Sequence, residues 1–282
     1  MNILYKYCDQ LGGVKILGSL ELRLPRIPEV NDPFECEPAF TCKSDIAALE
    51  KAYLSALKRK NLDTPPEYQQ KLNTVFEAGD LQKSLIEGMR QHEHEWQSKG
   101  YLLSVSKTAQ NPTMWTHYAD RHKGIVIGID FDNIFSGANK AISIRMDPVV
   151  YSDKRPIVDV LKDPLDTDWL EKESKIILMT KSLDWQYERE LRNIFLDDDL
   201  KRMQEQGFTD FKELNGNKSW FLRLNPASIK EVVFGLTADD SLKLTIRRLK
   251  NHTELQHIRL YQAAESREAY ILDLIEQADN SF

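Results

Sequence analysis

The sequence has 282 residues, of which 41% are hydrophobic and 29% charged, and its formal net charge is −6 at pH 7. This balance is typical of a globular chain and excludes global disorder, while the acidic charge argues against general nucleic-acid binding, which relies on Lys and Arg. The three cysteines form no CxxC pair, so neither a disulfide framework nor a thiolate zinc site is expected.

The sequence shows no signal for export or membrane insertion. Its N-terminus lacks a basic stretch followed by an apolar one, and no window approaches the roughly 20 apolar residues that span a bilayer. We therefore expect a cytoplasmic protein with no membrane partner.

The first hundred residues divide into a mixed part and a helical part. The mixed part has predicted strands at 3–7 and 21–24, a predicted helix at 9–19 and a proline-rich loop after residue 24. From about 44 to 99 strand signals disappear, and Ser44 and Asp80 are typical helix-starting residues. We expect a charged helical insert here, and we interpret the His and Glu residues at 92–95 as a solvated helix face because no i, i+4 His pair occurs.

Strands and helices are mixed in the rest of the chain. The predicted strands are 101–106, 124–130, 141–146, 190–196, 219–224, 230–235, 257–262 and 269–274. The predicted helices are a short one through Tyr118, capped by Asn111-Pro112, and two others near 166–181 and 239–251. Without strict βαβ alternation, this order favours an α+β fold with a mixed or mainly antiparallel sheet. We predict a single domain over 1–282, with the insert at about 44–99.

No familiar catalytic motif is present, since the sequence lacks GxxxxGK[ST], GxGxxG, HExxH and GxSxG patterns. Aromatic, amide and ionisable residues instead concentrate near predicted strand ends. They do so in three segments, namely Leu4–Tyr7 with Asn31–Glu35, Met114–Gly124, and Trp185–Arg192. These segments are the candidate sources of a site.

The middle segment predicts an aromatic helix face. Met114, Trp115 and Tyr118 fall within one helical turn. This face either seals the sheet by burial or, with His117 and the Tyr118 hydroxyl, stacks on a planar ligand.

The third segment predicts a strand that carries Glu188 and Glu190 on one face. Two glutamates at this spacing either form ion pairs or repel each other and raise a pKa. Their potential partners are Arg23, Arg189 and Arg192. The functional alternative is that Glu190 points into a cleft and stabilises positive charge that develops on a substrate.

The loop Asn31–Glu35 also has two interpretations. Asn and Asp before Pro commonly form turns through their own side chains. Alternatively, Asn31 and Asp32 form one wall of the same cleft.

Five motifs together resemble a known family. They are LYKY at 4–7, NDPFE at 31–35, MWTHYADRHKGIVIGID at 114–130, WQYERELR at 185–192 and IKEVVFG at 229–235. This succession resembles the bacterial family of unknown function DUF2971 across nearly the whole chain, and the stretch from 44 to 99 is the least typical part.

The order of these motifs is also remotely similar to the ADP-ribosyltransferase superfamily, in which an early strand, a middle element and a late glutamate converge on NAD. The resemblance implies an ADP-ribosyltransferase-like sheet with NAD as substrate, although Tyr5 and Lys6 stand where His or Arg is more usual. The implied catalytic residues are Glu190, Tyr118, Glu188 and His117. The implied NAD contacts are Tyr5 and Lys6. Asn31, Asp32 and Trp115 are added as candidate NAD-binding residues from their own segments, and no metal is expected.

Three functions follow as hypotheses. The first is an enzyme that cleaves NAD and transfers ADP-ribose to a macromolecule or to water, as a toxin or phage-defence effector. The second is a non-catalytic module whose cleft binds a nucleotide or a protein partner. The third is a metal-dependent nuclease using Glu188, Glu190, Asp130 and Asp132 as oxygen ligands.

Overall fold

A computed structural model describes residues 3–42, 51, 58, 80–135, 144–160, 174–214 and 216–278. The strands are β1 (Ile3–Cys8), β2 (Glu21–Leu24), β3 (Ala39–Thr41), β4 (Gly100–Ser106), β5 (Ile125–Asp130), β6 (Asp147–Pro148), β7 (Val150–Ser152), β8 (Ile157–Asp159), β9 (Thr180–Ser182), β10 (Glu190–Leu196), β11 (Thr209–Leu214), β12 (Asn217–Arg223), β13 (Ile229–Phe234), β14 (Arg259–Glu265) and β15 (Leu272–Glu276). The helices are α1 (Gln10–Ser19), α2 (Asp80–Gln97), α3 (Pro112–Tyr118), α4 (Asp197–Glu205) and α5 (Asp240–His252). Residues 174–179 are also helical.

The largest element is an eight-stranded sheet with the order β15-β14-β13-β5-β1-β4-β10-β6. The β13–β14 pair is parallel, and the other pairs of this sheet are antiparallel. The predicted combination of helices with a mainly antiparallel sheet is thereby confirmed.

The central strand β5 is buried on both faces of this sheet. Ile125, Ile127 and Ile129 join one apolar core, whereas Val126 joins another. Strand side chains alternate between the two faces, so a strand covered on both sides has a nearly continuous apolar sequence. The motif IVIGID is such a sequence.

The first face, which carries the isoleucines of β5, is covered by α1, α5 and a second sheet of order β11-β12-β2. Leu17 of α1, Ile246 of α5 and Leu222 of β12 belong to this core. The Asp9 carboxylate accepts a hydrogen bond from Gly12 N at 2.5 Å at the start of α1, and Asp239 accepts one from Leu242 N at 2.7 Å at the start of α5. These caps satisfy backbone donors that the first turn of a helix leaves free.

The second face is covered in part by α3. Met114 and Trp115 pack there with Tyr7 and Val126. The Asn111 side chain caps the helix by accepting from Thr113 N at 2.9 Å, and Pro112 occupies its first turn. The predicted cap and aromatic helix face are confirmed.

A left-handed turn joins α3 to β5. Asp120, Arg121 and His122 have φ angles of 47°, 52° and 69°, a conformation that L residues adopt at an energetic cost. A side chain at Gly235 would place its Cβ 2.1 Å from His122 O, and Gly235 N donates to Gly124 O at 2.9 Å. Glycine at 235 therefore allows this turn to pack directly against the end of β13.

Some predicted elements differ from the structure. Residues 144–146 of the strand predicted at 141–146 are irregular, and the neighbouring Asp147–Pro148 instead extends the sheet edge beside β10. The helix predicted near 166–181 is wrong at its end, because Thr180–Ser182 form β9 beside β7. Residues 141–143 and 166–173 lie outside the described residues. Most of the predicted insert at 44–99 also does, so the single-domain division stays a prediction.

Within the described part of the chain, no helix is both long and apolar enough to cross a membrane.

Candidate functional site

A cavity of about 440 Å³ opens on the second face of the sheet, between α3 and the strands β1, β4 and β10. Cross-strand register places Tyr5 opposite Ser106, and Ser106 opposite Glu190. Residues opposite each other share a face, so this row forms one wall. Lys181 from β9 and Asn31 from the loop after β2 complete the lining.

Lys6 lies where β1 and β4 separate, because Tyr5–Ser106 is the pair that joins these two strands. Its Nζ donates to Ser104 O at 3.0 Å, and the side chain lines the cavity. Within the described part of the chain, Lys6 forms no ion pair with a carboxylate. Burial lowers the pKa of Lys6, as expected for a cation withdrawn from water.

The segment before β10 is not the strand predicted from the sequence. Leu183–Glu188 form a 3₁₀ helix, Arg189 adopts a left-handed conformation with φ 47°, and β10 begins at Glu190. The Ser106 hydroxyl donates to Glu188 O at 2.6 Å, and the Asn111 amide donates to Tyr187 O at 2.9 Å. These bonds hold the turn so that Glu188 and Glu190 both reach the cavity.

Lys181 joins three glutamates inside the protein. Its Nζ lies 2.7 Å from Glu188 Oε2, 3.4 Å from Glu190 Oε2 and 3.4 Å from Glu35 Oε2. All four side chains are at most 6% exposed, so solvent screens these charges weakly. No sequence pattern indicated Lys181, which falls in a segment predicted to be helical.

Arg192 forms the second centre of the cluster, and its side chain is fully buried. Its Nε and Nη2 donate to the two carboxylate oxygens of Glu190 at 2.9 and 2.8 Å. Its Nη1 donates to Glu35 Oε1 at 2.6 Å and to Leu178 O at 2.9 Å. Arg192 is therefore the ion-pair partner of Glu190, while Arg23 pairs with Glu29.

The two cavity glutamates differ in their electrostatic environment. Burial opposes ionisation of Glu190, but Arg192 and Lys181 outweigh it and lower its pKa to about 2. Burial raises the pKa of Glu188. Lys181 and the hydrogen bond from Tyr118 lower this pKa, but they offset the effect of burial only in part. Three carboxylates face two cations in this cluster, and Glu188, whose ion pair is with Lys181 and not with Arg192, is the least compensated of the three.

Tyr118 connects Glu188 to the loop after β2. Its hydroxyl donates to Glu188 Oε1 at 2.5 Å and accepts from Asn31 Nδ2 at 3.1 Å. Burial, followed by the hydrogen bond to Glu188, raises the pKa of Tyr118 above its usual range. Tyr118 is thus held as a neutral donor that orients the Glu188 carboxylate.

Three aromatic rings lie in succession beginning at the cavity, which His117 lines. The His117 ring stacks on Tyr187 with centroids 6.0 Å apart, and Tyr187 lies 6.1 Å from Trp185. We call these three residues the aromatic rim. His117 is exposed at this position.

The structure brings together most of the residues predicted from the sequence. Those that line the cavity are Tyr5, Lys6, Asn31, His117, Tyr118, Glu188 and Glu190. The Tyr5 hydroxyl is already engaged, since it donates to Glu231 Oε1 at 3.0 Å.

Asp32 and Trp115 do not line the cavity. The Asp32 carboxylate accepts from Phe34 N at 2.9 Å, as in the turn interpretation. Trp115 is fully buried, with its indole N–H donating to Ala109 O at 2.6 Å. Local backbone bonding and core packing thus use these two side chains, and neither reaches the cavity that the other predicted residues line.

The four carboxylates of the nuclease hypothesis are not assembled. Ile3 pairs with Asp130 on β5, whereas Glu190 lies on β10 beyond β1 and β4. Three strand spacings separate these positions by about 14 Å. Asp130 accepts instead from Asp132 N and Asn133 Nδ2, and the described residues contain no group of three His, Cys, Asp or Glu suited to a metal.

One protein family matches the chain. Its model, described as "Protein of unknown function (DUF2971)", matches residues 114–193, the span from α3 to β10. No curated protein and no solved structure matches. The resemblance to DUF2971 is thereby confirmed over residues 114–193, which include His117, Tyr118, Lys181, Glu188, Glu190 and Arg192.

Proposed function

We propose that the protein is an ADP-ribosyltransferase-like enzyme that cleaves the bond between nicotinamide and ribose in NAD. The observation that carries this proposal is the Glu188 carboxylate, the least compensated charge of the cluster, which faces a cavity bordered by tyrosines. A buried carboxylate of this kind favours a ligand on which positive charge is present or develops.

The proposed reaction makes direct use of this charge. The C–N bond of the nicotinamide riboside breaks, nicotinamide leaves with the bonding electron pair, and the ribose acquires oxocarbenium character. A hydroxyl or amine of an acceptor, or water, then bonds to the ribose carbon and releases its proton. Glu188 would stabilise the positive ribose in the transition state.

Other lining residues suit the remaining parts of NAD. Lys6, which has no carboxylate partner among the described residues, would attract the pyrophosphate. Tyr118 would orient Glu188, and the exposed His117 would contact the leaving ring. Tyr5 in an early strand, Tyr118 in a middle helix and Glu188 late in the chain all line one cavity. This arrangement supports the proposal that the sheet is ADP-ribosyltransferase-like.

The geometry makes Glu188, and not Glu190, the better candidate for stabilising the positive ribose. The sequence favoured Glu190, but two cations neutralise that carboxylate and Arg192 occupies both of its oxygens. Within the described part of the chain, Glu188 shares Lys181 with two other glutamates and otherwise accepts a hydrogen bond from the neutral Tyr118 phenol. We therefore assign the electrostatic role to Glu188 and a positioning role to Glu190.

The test compares two isosteric variants, Glu188→Gln and Glu190→Gln, with Glu265→Gln as a control at an exposed position. Purified protein is incubated with NAD, with and without magnesium, while released nicotinamide, KM for NAD and Tm are measured. We expect Glu188→Gln to lower kcat by about 100-fold with little change in KM, because the lost interaction acts mainly in the transition state. Glu190→Gln should lower Tm, with its activity following the folded fraction.

Full turnover in folded Glu188→Gln protein would eliminate this assignment. Magnesium-dependent cutting of nucleic acid without nicotinamide release would support the nuclease alternative instead. If NAD is cleaved, expression in bacteria should deplete cellular NAD in a Glu188-dependent way, as proposed for a toxin or phage-defence effector.

A second candidate is a non-catalytic nucleotide-binding module. It is favoured by the complete hydrogen bonding of Tyr118 and Glu190 within the protein, since a satisfied network is rigid and suits recognition. NAD binding without nicotinamide release would support this function over the enzyme.

A further inference from the structure

A second hollow, of about 620 Å³, adjoins the cavity. We call it the side groove, and its polar and aromatic lining comprises Lys107, Asn111, Tyr151, Gln186, Tyr187 and Arg189. Glu190 lines both hollows. Tyr187 connects them as well, because its ring packs on His117 of the cavity.

The side groove is locally positive although the whole chain is acidic. Lys107 and Arg189 are exposed, and Lys107 N donates to Arg189 O at 3.1 Å, which holds the two residues side by side. Among the described residues neither side chain forms an ion pair. Glu190, the acidic residue of the lining, is already neutralised by Arg192 and Lys181.

The backbone at Arg189 is also unusual. Its φ of 47° places a long side chain in the left-handed region, which costs a non-glycine residue free energy. The Arg189 N–H donates to Gln186 O at 3.3 Å and closes the 3₁₀ turn. Arg189 lines the groove and has no carboxylate partner among the described residues.

The aromatic rim supplies the second recognition element. Tyr187 and Trp185 are partly exposed and His117 is exposed. Tyr187 lines the side groove and His117 lines the cavity, while Trp185 lies beside Tyr187. Rings in succession beside unpaired cations suit unstacked bases joined by phosphates. An acidic peptide would use the cations but leave the rings without a planar partner.

We propose that the side groove and aromatic rim bind single-stranded nucleic acid, with Lys107 and Arg189 on phosphates and Tyr187 stacked on a base. This binding is local, involves few phosphates and does not depend on NAD cleavage. It is consistent with the acidic charge of the whole chain, which argues only against general binding.

The test titrates a fluorescently labelled oligothymidylate of eight nucleotides with the full chain at several salt concentrations. Each phosphate contact on a single strand contributes about −0.7 to the slope of log K against log salt. Two contacts therefore predict a slope of about −1.4. Lys107→Gln and Arg189→Asn should each halve the slope, and Asn is chosen because it tolerates the left-handed backbone.

Tyr187→Leu should weaken binding about tenfold without changing the slope, because stacking is largely independent of salt. Lys218→Gln on β12 is the matched control, since it removes an exposed cation from the sheet that packs on the opposite face. It should leave both affinity and slope unchanged.

Absence of binding at millimolar protein would overturn the proposal. Equal weakening by Lys218→Gln would also overturn it, because the attraction would then be diffuse. Binding of a labelled oligoglutamate peptide as tight as that of the oligonucleotide would reject nucleic acid in favour of a protein partner.

Discussion

The two faces of the eight-stranded sheet use the same strands for different purposes. On β10, Leu191 enters the apolar core of the first face, while its neighbours Glu190 and Arg192 enter the buried charge cluster of the second. Apolar packing gives stability directly, whereas a buried ion pair repays its desolvation only in part. The second face therefore carries groups that stability alone does not require.

The largest effect is expected when the charge cluster loses a cation. Arg192→Leu would leave Glu35 and Glu190 with Lys181 as their remaining cation. Breaking a buried pair in this way costs about 3–5 kcal/mol of unfolding free energy. Urea denaturation at pH 7 would measure the loss.

Leu191→Ala provides the comparison from the first face, where creating a cavity costs about 2–5 kcal/mol. At pH 4 the Arg192→Leu deficit should shrink, because the uncompensated carboxylates can then accept protons. The Leu191→Ala deficit should not change. An Arg192→Leu protein as stable as the wild type at pH 7 would show that the cluster is replaceable by apolar packing.

The next-largest effect is a loss of unfolding free energy at acidic pH, which arises from Glu190 on the second face. The pKa of Glu190 is lowered from 4.5 to about 2 on folding, so its ionised form stabilises the folded state above about pH 5. This stabilisation, about 3 kcal/mol, is lost as the pH falls from 5 towards 2. Unfolding free energies of the wild type and Glu190→Gln across this range should converge at low pH, and a constant difference would contradict the assignment.

The smallest effect is expected at a helix cap. Asn111→Ala removes the cap of α3 and the hydrogen bond to Tyr187 O, at a cost of about 1 kcal/mol. The same variant should weaken oligonucleotide binding, because it loosens Tyr187. Asp239→Ala, which uncaps α5 on the first face, should cost a similar amount and leave ligand binding unchanged.

The strands and the helix that frame the site could be predicted from the sequence more readily than its buried ion pairs. Periodicity and caps identify β1, β4, β5, β10 and α3, because burial and backbone capping leave local patterns. Lys181 left none, since its role comes from glutamates that approach it only in the folded chain. The sequence also did not show which glutamate, Glu188 or Glu190, is the better candidate for the electrostatic role. That choice depends on the ion pair between Arg192 and Glu190 and on a 3₁₀ helix at Leu183–Glu188, where side-chain alternation had predicted a strand.

The strand order of the eight-stranded sheet also shows that the segment matched by the family model is not a segment that could fold by itself. Residues 114–193 contribute β5 and β10, but β1 and β4 lie between these strands. A fragment cut at those boundaries would lose both intervening strands and expose unpaired edges that favour aggregation. It would also lack Tyr5, Lys6, Glu35 and Ser106 from the cavity. Boundaries for expression or for grafting this site into another protein should therefore follow the strand order and begin before β1.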